Sequence, residues 1–395
     1  MSTKLKPADL IHGDLHLKSV KDRAEVAPSI SVSTTFRADP NPDAVLSDID
    51  IRDPARHVYS RYTQDVSTRA EHILSKINGG YALTFSSGLS ACYAALVHFK
   101  PKRIAVRGGY FGCHQSFEIY GKSRDIELVD IDDDYQLGDL CWIETPVNPT
   151  GESRDIKYYA DKIHKVGGKL VVDSTFAPPP LQYPFKFGAD CILHSATKYL
   201  GGHSDLLAGV LVVKTEEEWS SLMHDRTYMG MVMGSLEGWL LLRSLRTLHL
   251  RIPRQSETAT ALVEWLHTVA KETSSGKEFD GVPVGVLSRV YHTSLQEPDA
   301  RGFDPRTQME GGFNATFSID LSSVFYAKHL PGQTKIFVPA TSLGGVESLI
   351  EYRARADPNE SPVLVRISIG IEDLEELKDD LRQAFQKLAQ IKTKL

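Results

Sequence analysis

Cysteine is scarce in this chain. Cys92, Cys113, Cys141 and Cys191 are the only four in 395 residues, and no two of them form a C-x-x-C pair. Such spacing excludes a disulfide framework and a thiolate zinc module and fits free thiols in a reducing compartment, so a cytoplasmic location and no metal are expected. Long hydrophobic runs are absent as well. With no stretch of about 18 apolar residues, and no apolar segment in the opening MSTKLKPADLIHGDL, neither a membrane span nor a signal peptide is expected. An excess of positive charge is also missing: 45 Lys+Arg against 51 Asp+Glu give a formal charge of −6. No global basic field can therefore hold nucleic acid or an anionic membrane, and any anion site must be local. Glycine (29) and proline (20) are near average, and no repeat or low-complexity tract occurs, which sets aside collagenous and disordered classes.

What is present is the composition of a folded globular protein, 41% hydrophobic and 24% charged, with enough length for two or three domains. Residues 1–55 are polar and weakly periodic, with one β-branched patch, Ile30-Ser-Val-Ser-Thr-Thr-Phe36, and read as an arm. Within 56–250, short apolar runs at Arg103–Val106, Ile126–Ile131, Leu140–Ile143, Lys169–Val172, Cys191–Leu193 and Gly209–Val213 alternate with helical stretches. That alternation predicts an α/β domain with a mostly parallel sheet covered on both faces. Apolar spacing over 235–271 predicts one kinked helix or two in series, broken near Pro253. In 251–395, strand-like runs at Phe313–Ile319, Lys335–Val338 and Val363–Ile367 precede an amphipathic helix from about Asp373, predicting a smaller α+β domain.

The chemistry concentrates at strand ends. His194-Ser-Ala-Thr-Lys198-Tyr-Leu-Gly-Gly follows the run Cys191–Leu193 directly. A lysine at the end of a buried strand can lose its proton and form a Schiff base with a carbonyl, and the hydroxyls of Ser195 and Thr197 can bind a phosphate. Upstream, Val171-Val-Asp173 puts a carboxylate at the C-terminal end of another strand, where ligands bind in open α/β sheets. A lysine and a carboxylate so placed suggest pyridoxal phosphate, which needs an amine for its aldehyde and an acid for its ring nitrogen. Thr84-Phe-Ser-Ser-Gly88-Leu-Ser leads into an Ala-rich helix whose free N–H groups favour a dianion. Glu144-Thr-Pro-Val-Asn148-Pro-Thr-Gly151 follows a further strand, with the Asn148 amide in reach of the cofactor's phenolic oxygen.

In this combination the chain resembles the Cys/Met-metabolism family of pyridoxal-phosphate enzymes, with matching blocks from Ala27–Phe36 to Val365–Asp373. The resemblance implies the fold type I (aspartate-aminotransferase-like) architecture, with a seven-stranded-type sheet, pyridoxal 5'-phosphate as cofactor, an amino-acid substrate, and a homodimer or homotetramer with shared active sites. It further implies that the arm contributes to the neighbouring subunit. By position, Lys198 resembles the Schiff-base lysine and proton shuttle, Asp173 the ring-nitrogen partner and Tyr110 the ring-stacking tyrosine. Ser87, Gly88, Leu89, Ser195 and Thr197 match phosphate positions. Tyr59 and Arg61, in Tyr59-Ser60-Arg61, match residues that reach the phosphate from the neighbouring subunit, and Tyr59 also contributes to substrate binding. Arg366 matches the arginine that forks onto the substrate carboxylate, with Ser342 as its helper. The implied reaction is γ-replacement or γ-elimination on a homoserine- or cysteine-derived amino acid, as in cystathionine γ-synthase, with a lyase or a carbon-nucleophile variant as the alternative.

Four departures stand out. Tyr62–Arg69 is longer than the family's Gly-Asn-Pro-Thr-Arg turn and lacks Asn-Pro, which predicts a remodelled substrate entrance. Thr341 stands where cystathionine enzymes commonly carry Glu before Ser-Leu-Gly-Gly, and Ser174 where the family carries Asn. Cys113 and His114, beside Tyr110, are expected to face the site. Two competing readings have weaker support. An aminotransferase of this fold typically has Tyr three residues after the ring-nitrogen Asp, where this chain has Phe176. A serine hydrolase would use Ser195-Ala-Thr-Lys198 as S-x-x-K, but Ser204-Asp-Leu206 and Lys214-Thr-Glu216 lack the companion Asn and Gly. A non-catalytic cofactor-binding descendant is disfavoured by the intact Lys, Asp, Tyr and Arg set.

Overall fold

A computed structural model describes residues 5–21, 23–45 and 49–393. They divide into two compact units. Unit 1 comprises Met1–Ile143, Ile156–Thr175 and Tyr183–His249, and unit 2 comprises Glu144–Asp155, Phe176–Gln182 and Leu250–Leu395.

Unit 1 is built on a seven-stranded sheet: β1 (Tyr81–Phe85), β2 (Arg103–Val106), β3 (Glu127–Val129), β4 (Leu140–Glu144), β5 (Lys169–Asp173), β6 (Cys191–Ser195) and β7 (Gly209–Val213). Their order is β1-β7-β6-β5-β4-β2-β3. The β2–β3, β2–β4 and β5–β6 pairs are parallel, while β7 runs antiparallel to both β1 and β6. The expected mostly parallel sheet is therefore present, with β1 as a strand that the sequence did not announce. Strands buried on both faces explain the unbroken apolar runs. Along β4, Leu140 and Trp142 join one apolar cluster with Ala91, Leu96 and Phe117, whereas Cys141 and Ile143 join a second with Ile156, Tyr159 and Ile163. Period-two alternation thus feeds two cores from one strand.

The helices of this unit are α1 (Pro7–His12), α2 (Asp65–Asn78), α3 (Gly88–Phe99), α4 (Phe111–Gly121), α5 (Ile156–His164), α6 (Glu216–Met229) and α7 (Ser235–Leu245). Beyond α1 the N-terminal segment is largely irregular, and the patch at 30–36 supplies only a bridge between Thr35 and Tyr59. The segment is nonetheless tied down: Arg69 meets the buried Asp14 at 2.6 Å and Asp65 at 3.7 Å, and Arg23 meets Asp65 at 2.9 Å.

Unit 2 contains a five-stranded sheet ordered β10-β11-β12-β9-β8, made of β8 (Leu287–Tyr291), β9 (Thr316–Leu321), β10 (Val338–Pro339), β11 (Leu349–Tyr352) and β12 (Leu364–Ser368). Its helices are α8 (Leu248–Ser274), α9 (Val324–His329), α10 (Arg353–Ala356) and α11 (Leu374–Thr393). The helical stretch over 235–271 is two helices in series, but the break falls between Leu245 and Leu248 rather than at Pro253. Pro253 is the sixth residue of α8 and lies inside the helix, past the first four N–H groups, yet the helix continues through it. Of the run at 335–338 only Val338 is strand, because the N–H groups of Lys335, Ile336 and Phe337 all donate to the buried Asp380 carboxylate. Among the described residues no helix is long and apolar enough to cross a membrane, no group of residues suits a metal ion, and all four cysteines are buried and outside any disulfide.

Candidate active site

Unit 1 gathers most of the expected cofactor residues at one edge of its sheet. Because β7 is antiparallel, its first residue, Gly209, pairs with the last residues of two strands, Phe85 of β1 and Ser195 of β6. A side chain at Gly209 would collide with the carbonyl of Ser87, and a Cβ at Gly88 would lie 3.1 Å from Ser195 Oγ. Missing side chains therefore bring the loop after β1 against the loop after β6. Ser87 caps α3 in a reciprocal box with Ser90, which consumes the Ser90 N–H at 3.0 Å. The N–H groups of Gly88 and Leu89 find no acceptor among the described residues. Two unspent amides at a helix N-terminus, beside the Ser195 hydroxyl, suit a phosphate.

Asp173 ends β5 and is 6% exposed. Its Oδ1 accepts from Thr175 Oγ1 at 2.6 Å and Thr175 N at 3.0 Å, and Thr175 Oγ1 in turn accepts from Ser195 N at 2.8 Å. Burial pushes the carboxyl up to about 6, although both Thr175 bonds act to lower it. No cation pairs with Asp173 among the described residues. A protonated ring nitrogen would supply that missing charge. Lys198 lies in the turn after β6, held by Lys198 N donating to Ser195 O at 3.1 Å and Gly202 N donating to Lys198 O at 2.7 Å. The preceding His194 is buried, bonded to Asn78 Oδ1 at 3.1 Å and pushed down to about 4 by burial, which makes it a neutral structural residue.

Tyr110 caps α4 and is 40% exposed. Its ring folds over Gly112, where a Cβ would lie 2.6 Å from the ring and 3.1 Å from Leu89. Tyr110 is thereby brought to Leu89, Leu89 adjoins Gly88, Gly88 meets Ser195, and Ser195 connects through Thr175 to Asp173. Thr197 differs from expectation in emphasis: its hydroxyl exchanges bonds with Ala208, accepting at 3.1 Å and donating at 3.3 Å, and so pins the lysine loop. Tyr59 and Arg61 do not join this group. Arg61 donates to Thr227 O at 3.3 Å and lies 5.4 and 5.3 Å from the rings of Tyr59 and Tyr62, and no carboxylate pairs with it among the described residues.

One expectation about this unit is corrected. Cys113 does not face the site; it is buried in the apolar cluster with Phe117 and Trp142, because helix α4 turns that face inward. His114 bonds back to Gly108 O at 2.8 Å, bracing the turn before Tyr110. The segment expected to remodel an entrance is mostly helix, since residues 65–69 form the buried first turn of α2.

Unit 2 carries Arg366 in the middle of β12, 6% exposed. Nη1 donates to Asn148 Oδ1 at 2.9 Å and Nη2 to Ser342 O at 2.9 Å, so three expected residues meet here. Ser342 serves through its backbone carbonyl, which a φ of 86° turns toward the guanidinium; that left-handed conformation is costly for a side-chain-bearing residue. Asn148 is fixed from behind, its N–H donating to Glu144 Oε1 at 2.6 Å. With Oδ1 given to Arg366, its Nδ2 remains the donor for an external oxygen. Sequence reasoning missed Thr175, the Glu351 carboxylate that pairs with Arg366, and Arg353, which pairs with Glu351 in turn.

A strand-end lysine loop, a buried cation-seeking carboxylate and an open helix N-terminus on a mostly parallel sheet define a pyridoxal-phosphate-dependent enzyme. Comparison with known proteins agrees: residues 9–386 match the model of the Cys/Met metabolism PLP-dependent enzymes, and the chain belongs to that family. It is 32% identical over 391 residues to cystathionine gamma-lyase of Dictyostelium discoideum, covering 93% of this chain and 94% of that protein. It is likewise 32% identical over 389 residues to cystathionine gamma-synthase of Escherichia coli K12, covering 91% and 93%. Among solved structures, a methionine gamma lyase from Micromonospora echinospora superposes with a TM-score of 0.82 at 29% identity over 98% of this chain and 100% of its own. The chain is thus a trans-sulfuration-type enzyme that uses pyridoxal phosphate and acts on an amino acid.

Proposed function

We propose that the protein catalyses γ-replacement on an O-acyl-homoserine, joining a thiol such as cysteine to the γ carbon to give cystathionine or an analogue, with release of the acyl group as a carboxylic acid. The observation that carries this reading is the Arg366 clamp, a buried guanidinium braced by Asn148 and Ser342 as an α-carboxylate requires. Family membership, shared with synthases as well as lyases, supplies the reaction class.

In this reading Ser87, Gly88, Leu89 and Ser195 hold the cofactor's phosphate, Thr197 keeps the lysine loop in place, and Asn148 Nδ2 donates to the phenolic oxygen. Asp173 keeps the ring nitrogen protonated. The bound cofactor supplies an electron sink conjugated to the substrate's α carbon. Lys198 Nζ would hold the cofactor's aldehyde and, once substrate is bound, take the α proton, with the Tyr110 hydroxyl assisting proton transfer at the substrate amine. Arg366 fixes the substrate carboxylate.

The chain further acts as a homodimer or homotetramer in the cytoplasm, Tyr59 and Arg61 reaching the phosphate of the neighbouring subunit. Among the described residues Arg61 meets a carbonyl and two rings and no carboxylate, which supports that role. Four free thiols support the location.

The test is an assay of purified protein with O-acetyl- and O-succinyl-homoserine, each with and without cysteine. Cystathionine formed only when both substrates are present is expected. Keto acid and ammonia from cystathionine alone would move the assignment to a lyase, and no product from any homoserine ester would overturn the proposal.

A further inference from the structure

Arg366 has a third partner that neither the resemblance nor the clamp's task requires. Glu351 sits directly across the β11–β12 ladder from Arg366, so the two side chains share one face of the sheet. Glu351 Oε2 lies 2.6 Å from Arg366 Nη2, and the same oxygen lies 3.0 Å from Arg353 Nη1. Arg353 Nη2 in turn lies 3.4 Å from Glu360 Oε1. Glu351, Arg353 and Arg366 are each less than one-tenth exposed. One carboxylate oxygen is therefore shared between two buried guanidinium groups, only one of which is the proposed substrate clamp.

A buried guanidinium that already faces a carboxylate attracts a second one less strongly, because the two anions repel at short range in a medium of low dielectric. An anion arriving at Arg366 must either tolerate Glu351 or push it aside. The structure holds a place to push it: the shared oxygen already touches Arg353. Resting on the reading that Arg366 binds the α-carboxylate, we infer that Glu351 is an internal substitute for the substrate carboxylate. It occupies the Arg366 clamp between turnovers and passes to Arg353 when substrate binds. Glu351 and Arg353 are then positioning residues that set the enzyme's affinity for carboxylate-bearing ligands. No bond is made or broken in the exchange, and the charge of Glu351 is never left unpaired.

The experiment uses holoenzyme titrated with L-alanine, which has the carboxylate but no leaving group, and with 2-aminopropan-1-ol, which lacks the carboxylate, following the visible absorbance of the bound cofactor. Glu351→Gln should bind alanine at least about fivefold more tightly, since it removes the competing charge but keeps an acceptor, whereas Arg353→Met should weaken it by a similar factor. Neither variant should change the amino alcohol by more than about twofold. The double variant should bind alanine as Glu351→Gln does, because Arg353 acts only through the charge of Glu351. If Arg353→Met does not fold, as judged by circular dichroism, Glu351→Gln and the double variant still decide. Weaker alanine binding in Glu351→Gln, or equal changes for both ligands, would overturn the inference and leave Glu351 as a mere support. Arg366→Lys tests the underlying reading separately: a preference for alanine over the amino alcohol that survives this change would sink the clamp itself.

Discussion

The two units solve the problem of holding charge in opposite ways. Unit 1 leaves its site incomplete: among the described residues Gly88 and Leu89 offer unspent amides, and no cation pairs with the buried Asp173. Unit 2 places two arginines and a glutamate in its interior and pairs them with one another, Arg366 with Glu351 and Glu351 with Arg353. The first arrangement stores a deficit that a resident dianion with a cationic ring would fill. The second already has its charges paired and takes a transient anion by exchange. A cofactor that stays and a substrate that leaves call for just these two designs.

The contrast can be broken at several points, beginning with the largest effect. Lys198→Ala should lose the absorbance of the bound cofactor and lower turnover by at least about 10³-fold. Retention of both in a spectrum and a steady-state assay would remove the lysine from the site. Arg366→Lys should lower kcat/KM by about 30-fold, mostly through KM, since an ammonium cannot present a planar fork. A change confined to kcat would argue that Arg366 does not hold the ground-state carboxylate.

Asp173→Asn sharpens the comparison through pH. In the folded chain this carboxyl titrates near 6 rather than near 3.8, so between those values the folded state binds more protons than the unfolded one. Stability from this group is full below pH 3.8 and is lost as pH rises through 6. Cofactor-free Asp173→Asn should therefore be more stable than the parent at pH 7 by about 2–3 kcal/mol and equal to it near pH 3.5, as measured by urea unfolding. A parent as stable at pH 7 as its variant would mean that the carboxylate is already neutralised without cofactor. The smallest effect concerns where the cofactor is felt. Loading it should slow amide exchange at residues 84–90, 173–175 and 195–198 by about tenfold or more, and at 349–368 by less than about threefold. Equal protection in both segments would erase the distinction.

Much of unit 1 was legible because its logic is local. Apolar runs marked strands buried on both faces, and Lys198 and Asp173 stand immediately beyond or at the ends of two of them. β1 was not legible, since Tyr81-Ala-Leu-Thr-Phe85 lies between two helices and does not alternate. β11 escaped notice for a related reason: Glu351 interrupts the run Leu349-Ile350 chemically while remaining buried, and only its partners across the ladder explain why it can. Ser342 meets Arg366 through its backbone carbonyl, a contact that side-chain identity does not reveal. Cys113 shows the converse error: proximity in sequence to Tyr110 suggested a common face, yet three residues along a helix carried it into the core.

Gly209 has a consequence for how such an enzyme can diversify. It pairs at once with Phe85 and Ser195, the residues from which the phosphate loop and the lysine loop depart. The spacing of those departures is therefore two strand intervals, about 10 Å, a dimension of the sheet lattice and of no side chain. Loops around the site can lengthen, shorten or change their chemistry while this ruler stays the same. A chain can then trade one substrate for another over many substitutions without ever misplacing the lysine relative to the phosphate.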